Sequence, residues 1–373
     1  MSTSFVVNFI LSKTDVNLLY ENAIARTLLT EEKGSIWNAF KNPYKKSQNV
    51  KLAASDEQIC SSDDQLRKDY IRSVPFAKLY KGLLLQGYCV SPKFLNTLET
   101  FEVRNDDLFI VSYPRSGTTW TEEIVSYLYS KQSDGYMNRP IHERVVHLEV
   151  GRCVGQKQWI DGLSSPRLMA THLPYDYCPK QLRQLNCKVI YIVRNPKDQC
   201  VSYYHFHQTA KYLGGVKWNW NTFLELYRKG YLVYGSWKDH VNGWWRVAEK
   251  RPDKVLFISY EQLHWEFENT VKRIAQFTDK PISDDFIRKL ANHCSFDRMR
   301  SNNAVNRVNI PLRNFFDQSQ VKFMRKGKIG DWKNMFTESQ EREFDDFYGS
   351  LLNEIGLSDK NVINEIESSN EVV

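Results

Sequence analysis

The chain has 373 residues, 42% of them hydrophobic and 25% charged. These values exclude a mostly disordered chain, a collagen-like repeat and a small disulfide-stapled scaffold. The formal net charge of +7 fits an anionic ligand or a nucleic acid, and without an arginine-rich tract we expect no nucleic acid as partner. No run of 18 apolar residues is present, so we expect no membrane span or membrane partner.

The N-terminal run FVVNFIL is short and has no basic residue before it, which makes it a poor secretory signal. We therefore expect a cytoplasmic protein. The seven cysteines include no C-x2-C pair, so the sequence indicates neither a zinc site nor a redox dithiol, and no metal is expected. Reduced, packed thiols are the favoured interpretation, with a disulfide framework as the alternative.

Residues 1–70 are polar and weakly periodic, and they predict an N-terminal extension that packs loosely or is partly disordered. Within this extension NPYKKSQN (42–49) is typical of a loop. SSDDQLRKDYIRSV (61–74) is typical of a capped helix start. We predict the main domain over residues 71–357, and an acidic tail over residues 358–373 that frays.

The main domain alternates apolar strands with helices. DLFIV (107–111), KVIYIV (188–193) and KVLFISY (254–260) are uninterrupted apolar runs. They are followed by helical stretches that begin with TWTEEIVSYLYS, with Lys197 and with EQLHWEFENTVKRIAQF. This order predicts a single α/β domain whose central parallel sheet is covered by helices on both faces. Ligands of such sheets bind beyond the carboxyl ends of the strands.

The first of these strands runs into the segment YPRSGTTW (113–120). A strand, a tight loop with glycine and small hydroxyl residues, and then a helix form a typical phosphate-binding loop. Free N–H groups at the helix start point at the anion, and Arg115 adds positive charge. The spacing is not that of the ATP- and GTP-binding loop. A capped helix start without a ligand is the alternative.

The segment resembles the 5′-phosphosulfate loop of the cytosolic sulfotransferases. RNPKDQCVSYYHF (194–206) and FMRKGKIGDWKNMFT (323–337) are similar to two further blocks of that family, in the same order. THLPY (171–175), YGSWKDHVNGWW (234–245) and SYEQL (259–263) also match. The resemblance implies an enzyme that uses 3′-phosphoadenosine 5′-phosphosulfate (PAPS) as sulfuryl donor, and a small hydroxyl or amine compound as acceptor.

The resemblance also implies a role for each matching residue in binding PAPS. The 5′ end is assigned to Arg115, Ser116, Gly117, Thr118 and Thr119. The 3′-phosphate is assigned to Arg194, Ser202, Arg325, Lys326 and the backbone of Gly327. The adenine is assigned to the aromatic residues Trp120 and Phe296, with Tyr260, Cys294 and Met324 beside it.

His172, in THLPY, falls where the family keeps its catalytic base, and a neutral imidazole can take a proton from an attacking hydroxyl. Arg115 replaces a family lysine at the leaving phosphate, and we count it with His172 as catalytic. Ala170 stands where many members carry a second lysine. His147 and Val150 are assigned to the acceptor pocket, at positions that are often aromatic in phenol-sulfating members.

Only half of the family's dimer motif is present, because Lys333 and Thr337 match whereas Glu338 and Arg342 do not. A homodimer is therefore possible without being implied. Two alternatives to the cytosolic enzyme are considered. Arg115 and Ala170 fit a nucleotide-binding protein that keeps the donor site but has lost turnover, against which His172 argues. A Golgi carbohydrate sulfotransferase would need a membrane anchor.

Overall fold

The computed structural model describes residues 64–87, 90, 92–130, 135–150, 156–215, 218–307, 316–319 and 321–357. The predicted loop at 42–49 and the predicted acidic tail at 358–373 lie outside these residues. So do Cys60, Cys89 and Cys153. The other four cysteines are buried and free: Cys178, Cys187, Cys200 and Cys294.

The core of the fold is a five-stranded sheet in which all neighbouring strands are parallel and the strand order is β4-β5-β3-β6-β7. Its strands are β3 (Leu108–Val111), β4 (Val146–His147), β5 (Leu168–Thr171), β6 (Lys188–Val193) and β7 (Val255–Ser259). A separate antiparallel hairpin precedes them, formed by β1 (Lys78–Tyr80) and β2 (Leu83–Leu85).

Helices connect and cover the strands. In chain order they are α1 (Gln65–Ser73), α2 (Pro92–Leu95), α3 (Thr118–Tyr129), α4 (Ile141–Arg144), α5 (Gln156–Asp161), α6 (Lys180–Arg183), α7 (Pro196–Thr209), α8 (Trp220–Arg228), α9 (Trp237–Lys250), α10 (Tyr260–Trp265), α11 (Phe267–Phe277), α12 (Asp284–His293), α13 (Phe296–Ser301) and α14 (Glu338–Glu354). Short 3-10 turns lie at Leu98–Thr100, Tyr136–Asn138, Tyr175–Tyr177, Lys211–Leu213 and Asp331–Asn334.

Both faces of the sheet are buried. Successive residues of a strand point to opposite faces. In β3, Phe109 and Val111 therefore belong to one apolar cluster, whereas Leu108 and Ile110 belong to a second one on the other side. The prediction of an α/β domain with a helix-covered parallel sheet is thus confirmed.

The three predicted strands are present as β3, β6 and β7, but two further strands were not predicted. β4 has two residues, too few for an apolar run to stand out, and β5 has only three apolar residues before Thr171. The predicted helix over 261–277 is in fact two helices, α10 and α11. They meet at Glu266, whose backbone (φ −123°, ψ 47°) is not helical.

Helix α1 runs across the predicted boundary between residues 70 and 71, and the domain division itself stays a prediction. The side chain of Asp64 caps this helix by accepting a hydrogen bond from Leu66 N–H at 3.0 Å. Tyr70 is fully buried, and its hydroxyl lies 2.8 Å from His207 Nε2. Tyr70 thus packs into the core, while residues 1–63 lie outside the described part of the chain.

Thr337, one of the two matching residues of the dimer motif, caps helix α14. Its hydroxyl accepts a hydrogen bond from Gln340 N–H, and the Gln340 side-chain oxygen accepts one from Thr337 N–H. This capping role within one chain accounts for the presence of Thr337 without a partner chain. The homodimer stays a prediction. Among the described residues, no helix is both long enough and apolar enough to cross a membrane.

Candidate active site

A cavity of about 1030 Å³ opens where β3, β5, β6 and β7 end. Its lining contains most of the side chains that the sequence assigned to the donor: Arg115, Gly117, Thr118, Thr119, Trp120, Arg194, Ser202, Tyr260, Cys294, Phe296, Met324, Arg325, Lys326 and Gly327. His172, His147 and Val150 line the same cavity. Ser116 is the one predicted residue outside the lining, and it is fully buried. Segments that are far apart in the sequence thus meet in one space.

The phosphate loop holds its shape through Gly117. This residue has φ +107° and precedes the first turn of α3. A Cβ at this position would lie 2.9 Å from Tyr260 Cδ2 and 3.0 Å from Ile192 Cδ1, so a larger residue fits neither the backbone nor the space. The N–H groups of Thr118 and Thr119 stand in the first turn of α3, where a helix has no carbonyl partners for them. The loop therefore presents amides to an anion.

Arg115 is held by the protein on several sides. Its Nε donates to Ser202 Oγ at 3.2 Å, and its Nη2 donates to the Phe323 carbonyl at 2.9 Å. The guanidinium lies over the rings of Phe206 and Phe323, at 4.7 and 4.9 Å from their centroids. Burial, helped by the nearby charge of Arg194, lowers the pKa of Arg115 to about 10. The side chain stays positively charged at neutral pH.

Arg194 follows strand β6 directly and reaches into the same region. Its guanidinium lies 4.3 Å from the centroid of the Tyr260 ring, and Nη2 donates to the Lys328 carbonyl at 3.0 Å. The carbonyl of Arg115 is within 3.5 Å of Nη1. Through these contacts the Arg194 side chain connects the loop after β3, the end of β6 and the RKGKIG segment.

Arg325 and Lys326 are not free cations. Arg325 Nη2 donates to Asp331 Oδ2 and Lys326 Nζ donates to Asp331 Oδ1, each at 2.5 Å. Burial acts to raise the pKa of Asp331, but the two cations outweigh it and lower the pKa to about 2. Asp198 on α7 fixes the far end of this segment by accepting hydrogen bonds from Gly330 N–H at 2.6 Å and Trp332 N–H at 3.0 Å.

The residues assigned to the adenine of the donor form an aromatic wall. Trp120 packs against Tyr260 and Phe267, with ring centroids 5.5 and 6.0 Å apart. Phe296 lies directly against the backbone of Gly327, where a Cβ would come within 2.3 Å of Phe296 Cδ2. Only a glycine, here at φ +65°, lets the RKGKIG segment approach this ring.

Four buried polar atoms at the site have no hydrogen-bond partner among the described residues: Ser116 Oγ, Trp120 Nε1, Arg194 Nε and Arg325 Nε. Such atoms are rare in folded proteins because each costs the desolvation of an unpaired group. The three nitrogens are donors and the hydroxyl can donate. The residues present therefore fit a bound anionic nucleotide.

His172 comes directly after β5 and is oriented from two sides. Its Nδ1–H donates to the Ser112 carbonyl at 2.9 Å, and its backbone N–H donates to Glu149 Oε1 at 2.8 Å. Glu149 Oε2 also accepts a hydrogen bond from Thr171 Oγ1 at 2.7 Å. Burial lowers the pKa of His172 to about 4, and His147 adds to this effect. The ring is neutral at pH 7, and Nε2 is the nitrogen left for the cavity.

His147 is bound to a buried acid. Its Nε2 lies 2.6 Å from Glu122 Oε1 on α3, and Arg307 Nη2 donates to the other carboxylate oxygen at 3.1 Å. Val150 is half-buried in the same part of the cavity. The part of the cavity assigned to the acceptor therefore combines an apolar side chain with a charged cluster.

Sequence reasoning missed the residues that position this site. Asp198, Glu149 and Glu122 are buried acids on or beside the elements that carry the site. An acid inside an apolar helix or strand is the signal that could have found them, because a buried carboxylate needs a partner. Which partner it takes is not visible in the sequence.

A family model described as "Sulfotransferase domain" matches residues 105–356 of the chain. This range contains every residue assigned above to the donor and to the acceptor pocket. It begins just before β3 and ends at the end of the described part of the chain after α14.

Sulfotransferase 1B1 of Canis lupus familiaris is 38% identical to the chain over 273 residues, which cover 71% of this chain and 90% of that protein. A crystal structure of a mouse sulfotransferase complexed with PAP is 34% identical, with a TM-score of 0.63, and covers 74% of this chain and 95% of that one. Retinol dehydratase in a complex with retinol and PAP has the same fold at 21% identity, with a TM-score of 0.67 and coverage of 81% and 95%. The chain therefore belongs to the sulfotransferase family and is an enzyme that uses PAPS as its sulfuryl donor.

Proposed function

We propose that the protein transfers the sulfuryl group of PAPS to a hydroxyl, or an amine, of a small lipophilic acceptor, with His172 as the general base. The observation that carries this proposal is the tautomer of His172. Because Nδ1–H donates to the Ser112 carbonyl, Nε2 of the neutral ring carries no proton and can act as a base in the cavity that His172 lines.

In this proposal each end of the donor has its own set of residues. The amides of Thr118 and Thr119 and the hydroxyl of Ser116 hold the 5′ end, and Arg115 neutralises the charge that develops there. Arg194, Ser202 and Arg325 hold the 3′-phosphate. PAPS supplies the activated sulfuryl group when it is bound.

His172 takes the proton of the acceptor hydroxyl while the oxygen attacks. Its low pKa keeps the imidazole in the base form from neutral pH down to about pH 5. Glu149 and Ser112 hold the ring by hydrogen bonds to its backbone and to Nδ1, so that Nε2 stays aimed at the cavity. Once Nε2 is protonated, the carboxylate of Glu149 stabilises the cation at short range.

Replacement of His172 by alanine tests the role of this residue. We expect His172→Ala to bind PAP, the desulfated form of PAPS, within about twofold of the wild type. Transfer of radiolabelled sulfate to a phenol or an alcohol should fall by at least about 100-fold, the usual scale for loss of a general base. His205→Ala is the matched control, because His205 does not line the cavity.

Two outcomes would contradict the proposal. Transfer by His172→Ala within a few-fold of the wild type would remove His172 as the base. PAP binding by the wild type without transfer to any phenol, steroid, amine or aliphatic alcohol would favour the nucleotide-binding alternative. That alternative draws on Ala170, which is fully buried in β5 and brings no charge to the site.

We also propose that the protein works in the cytoplasm. Four buried cysteines are free thiols, as expected for a reducing compartment. Fractionation of the source cells, with the activity followed in each fraction, tests this location. Recovery of the activity in a membrane or secreted fraction would contradict it.

A further inference from the structure

His147 lies at the centre of a polar cluster in the acceptor end of the cavity. It pairs in register with Ala170 on the neighbouring strand, so the two side chains share one face of the sheet. His172 is two residues beyond Ala170 and lies beside the same face, and the ring centroids of the two histidines are 5.4 Å apart. Both rings line the cavity.

The buried acid Glu122 holds the His147 ring in one orientation. Glu122 is fully buried, and Arg307 donates to its second oxygen. Burial acts to raise the pKa of Glu122, but the electrostatic interaction and the hydrogen bond with His147, together with Arg307, lower it overall. Glu122 is therefore an anion that holds the Nε2 side of the His147 ring, and a singly protonated ring that donates Nε2–H to it has Nδ1 as a hydrogen-bond acceptor.

This Nδ1 atom has no hydrogen-bond partner in the described part of the chain, and the side chain keeps an exposed fraction of 13%, in the cavity. His147 and His172 thus each have one ring nitrogen without a hydrogen-bond partner in the described part of the chain, and both rings line the same cavity with centroids 5.4 Å apart. This separation suits an acceptor with two hydroxyl groups on adjacent carbon atoms, one for each ring.

We propose that His147 is a specificity-determining residue that selects acceptors with a second hydrogen-bond donor next to the reacting hydroxyl, that is, vicinal diols, catechols and amino alcohols. This inference rests on the proposed function, because it assumes that the reacting hydroxyl lies at His172. An acceptor without the second donor covers Nδ1 and leaves it unpaired. Sites that bury a polar group in this way discriminate strongly against such acceptors.

Matched acceptors that differ in the second hydroxyl test the proposal. We would measure kcat/KM for catechol, for its monomethyl ether guaiacol and for phenol, and likewise for a vicinal octanediol and its monomethyl ether. Phenol controls for the added bulk of the methyl group. For the wild type we expect a preference of at least about tenfold for each diol over its partners, which corresponds to one good hydrogen bond.

Two substitutions of His147 distinguish the role of Nδ1 from that of Nε2. In His147→Gln the side-chain amide takes the place of Nε2, so Glu122 keeps its partner while the group at Nδ1 is lost. We expect the diol preference to fall to about twofold or less. In His147→Asn the amide takes the place of Nδ1, and we expect most of the preference to return. PAP affinity should be unchanged in both variants, which shows that the donor site is intact.

The outcomes separate this inference from the function on which it rests. Transfer to all acceptors with equal kcat/KM, or a diol preference that His147→Gln keeps, would overturn the role of His147 and leave the proposed function standing. Transfer to none of them, nor to any steroid or amine of the wider screen, would overturn the proposed function. In that case the role of His147 is still tested by measuring, with calorimetry, how tightly the same acceptors bind to the PAP-loaded protein. Tighter binding of the diols that is lost in His147→Gln supports this role. Equal binding of all acceptors to the wild type overturns it.

Discussion

Arg194 and Arg325 each carry a buried Nε without a partner among the described residues, at the place assigned to the 3′-phosphate. We expect Arg194→Gln and Arg325→Gln to weaken PAP binding by about 10- to 150-fold, since each removes one charge-assisted hydrogen bond. Adenosine 5′-phosphate lacks the 3′ group, and its binding should hardly change. Isothermal titration calorimetry with both nucleotides measures the difference.

Lys322→Gln is the matched control for these charge changes. Lys322 is exposed and does not line the cavity, so both nucleotides should bind to this variant as to the wild type. Equal losses for PAP and adenosine 5′-phosphate in the arginine variants would show that the two arginines hold the fold or another part of the nucleotide.

Gly327 tests the aromatic wall of the base site. In Gly327→Ala the new methyl group would meet Phe296 Cδ2 at 2.3 Å, and the backbone at φ +65° disfavours a side chain. Phe296 or the whole segment must move, and we expect PAP affinity to fall by at least about tenfold. Gly349→Ala, in a helix with open space around it, should bind PAP normally and unfold at the same temperature or higher. Unchanged PAP affinity in Gly327→Ala would show that this contact does not shape the base site.

At the scale of elements, helix α1 tests where the folded domain begins. Two chains, one beginning at Ser62 and one at Ile71, differ in whether they carry the cap at Asp64 and the buried Tyr70. We expect the shorter chain to lose at least about 3 kcal/mol of the free energy of unfolding, the usual cost of deleting a buried aromatic side chain. Urea denaturation followed by tryptophan fluorescence gives the difference.

Tyr70→Phe in the longer chain separates packing from hydrogen bonding. This variant keeps the ring and loses only the bonds of the hydroxyl to His207 and Val233 N–H. A loss of about 1 kcal/mol is expected. If both chains unfolded at the same urea concentration, α1 would not belong to the cooperative core.

For the whole molecule, buried histidines set the dependence of stability on pH. Burial lowers the pKa of His142, His172 and His207 to about 4 and that of His240 to about 3. In the unfolded chain a histidine takes up its proton near pH 6.5. Between about pH 6.5 and pH 4 the unfolded state therefore binds more protons, and the free energy of unfolding should fall as the pH falls. Urea denaturation at pH 7, 6 and 5 measures this slope.

Glu261 opposes this trend. Burial raises its pKa to about 7, so from about pH 4.5 to pH 7 the folded state holds a proton that the unfolded state has lost. This single group favours folding at low pH, against four histidines. Glu261→Gln removes the opposing titration, and we expect the stability of this variant to fall more steeply between pH 7 and pH 5. A stability that does not change over this range would contradict the assigned histidine protonation states.

The sequence alone predicted the α/β fold, three of the five parallel strands and the residues that gather at the cavity. These features are local: a buried strand needs an apolar run, and a phosphate loop needs glycine and small hydroxyl residues next to a helix start. YPRSGTTW therefore indicated a phosphate loop before any contact was known, whereas RKGKIG received its role only from the resemblance to the sulfotransferase family. β4, with two residues, had no such local pattern. The helical periodicity of residues 261–277 continues through Glu266, so the break between α10 and α11 at that residue was not visible in the sequence.

Only the tertiary structure decided which polar groups pair with one another. Glu122 meets His147 across 25 residues and Arg307 across 185, and Tyr70 meets His207 across 137. A buried charge or hydroxyl must find a partner, but it can find one anywhere along the folded chain. The sequence shows that Glu122 stands in an apolar helix. The folded chain brings that acid to 2.6 Å from His147 Nε2 on β4, where it supports the histidine ring at the cavity.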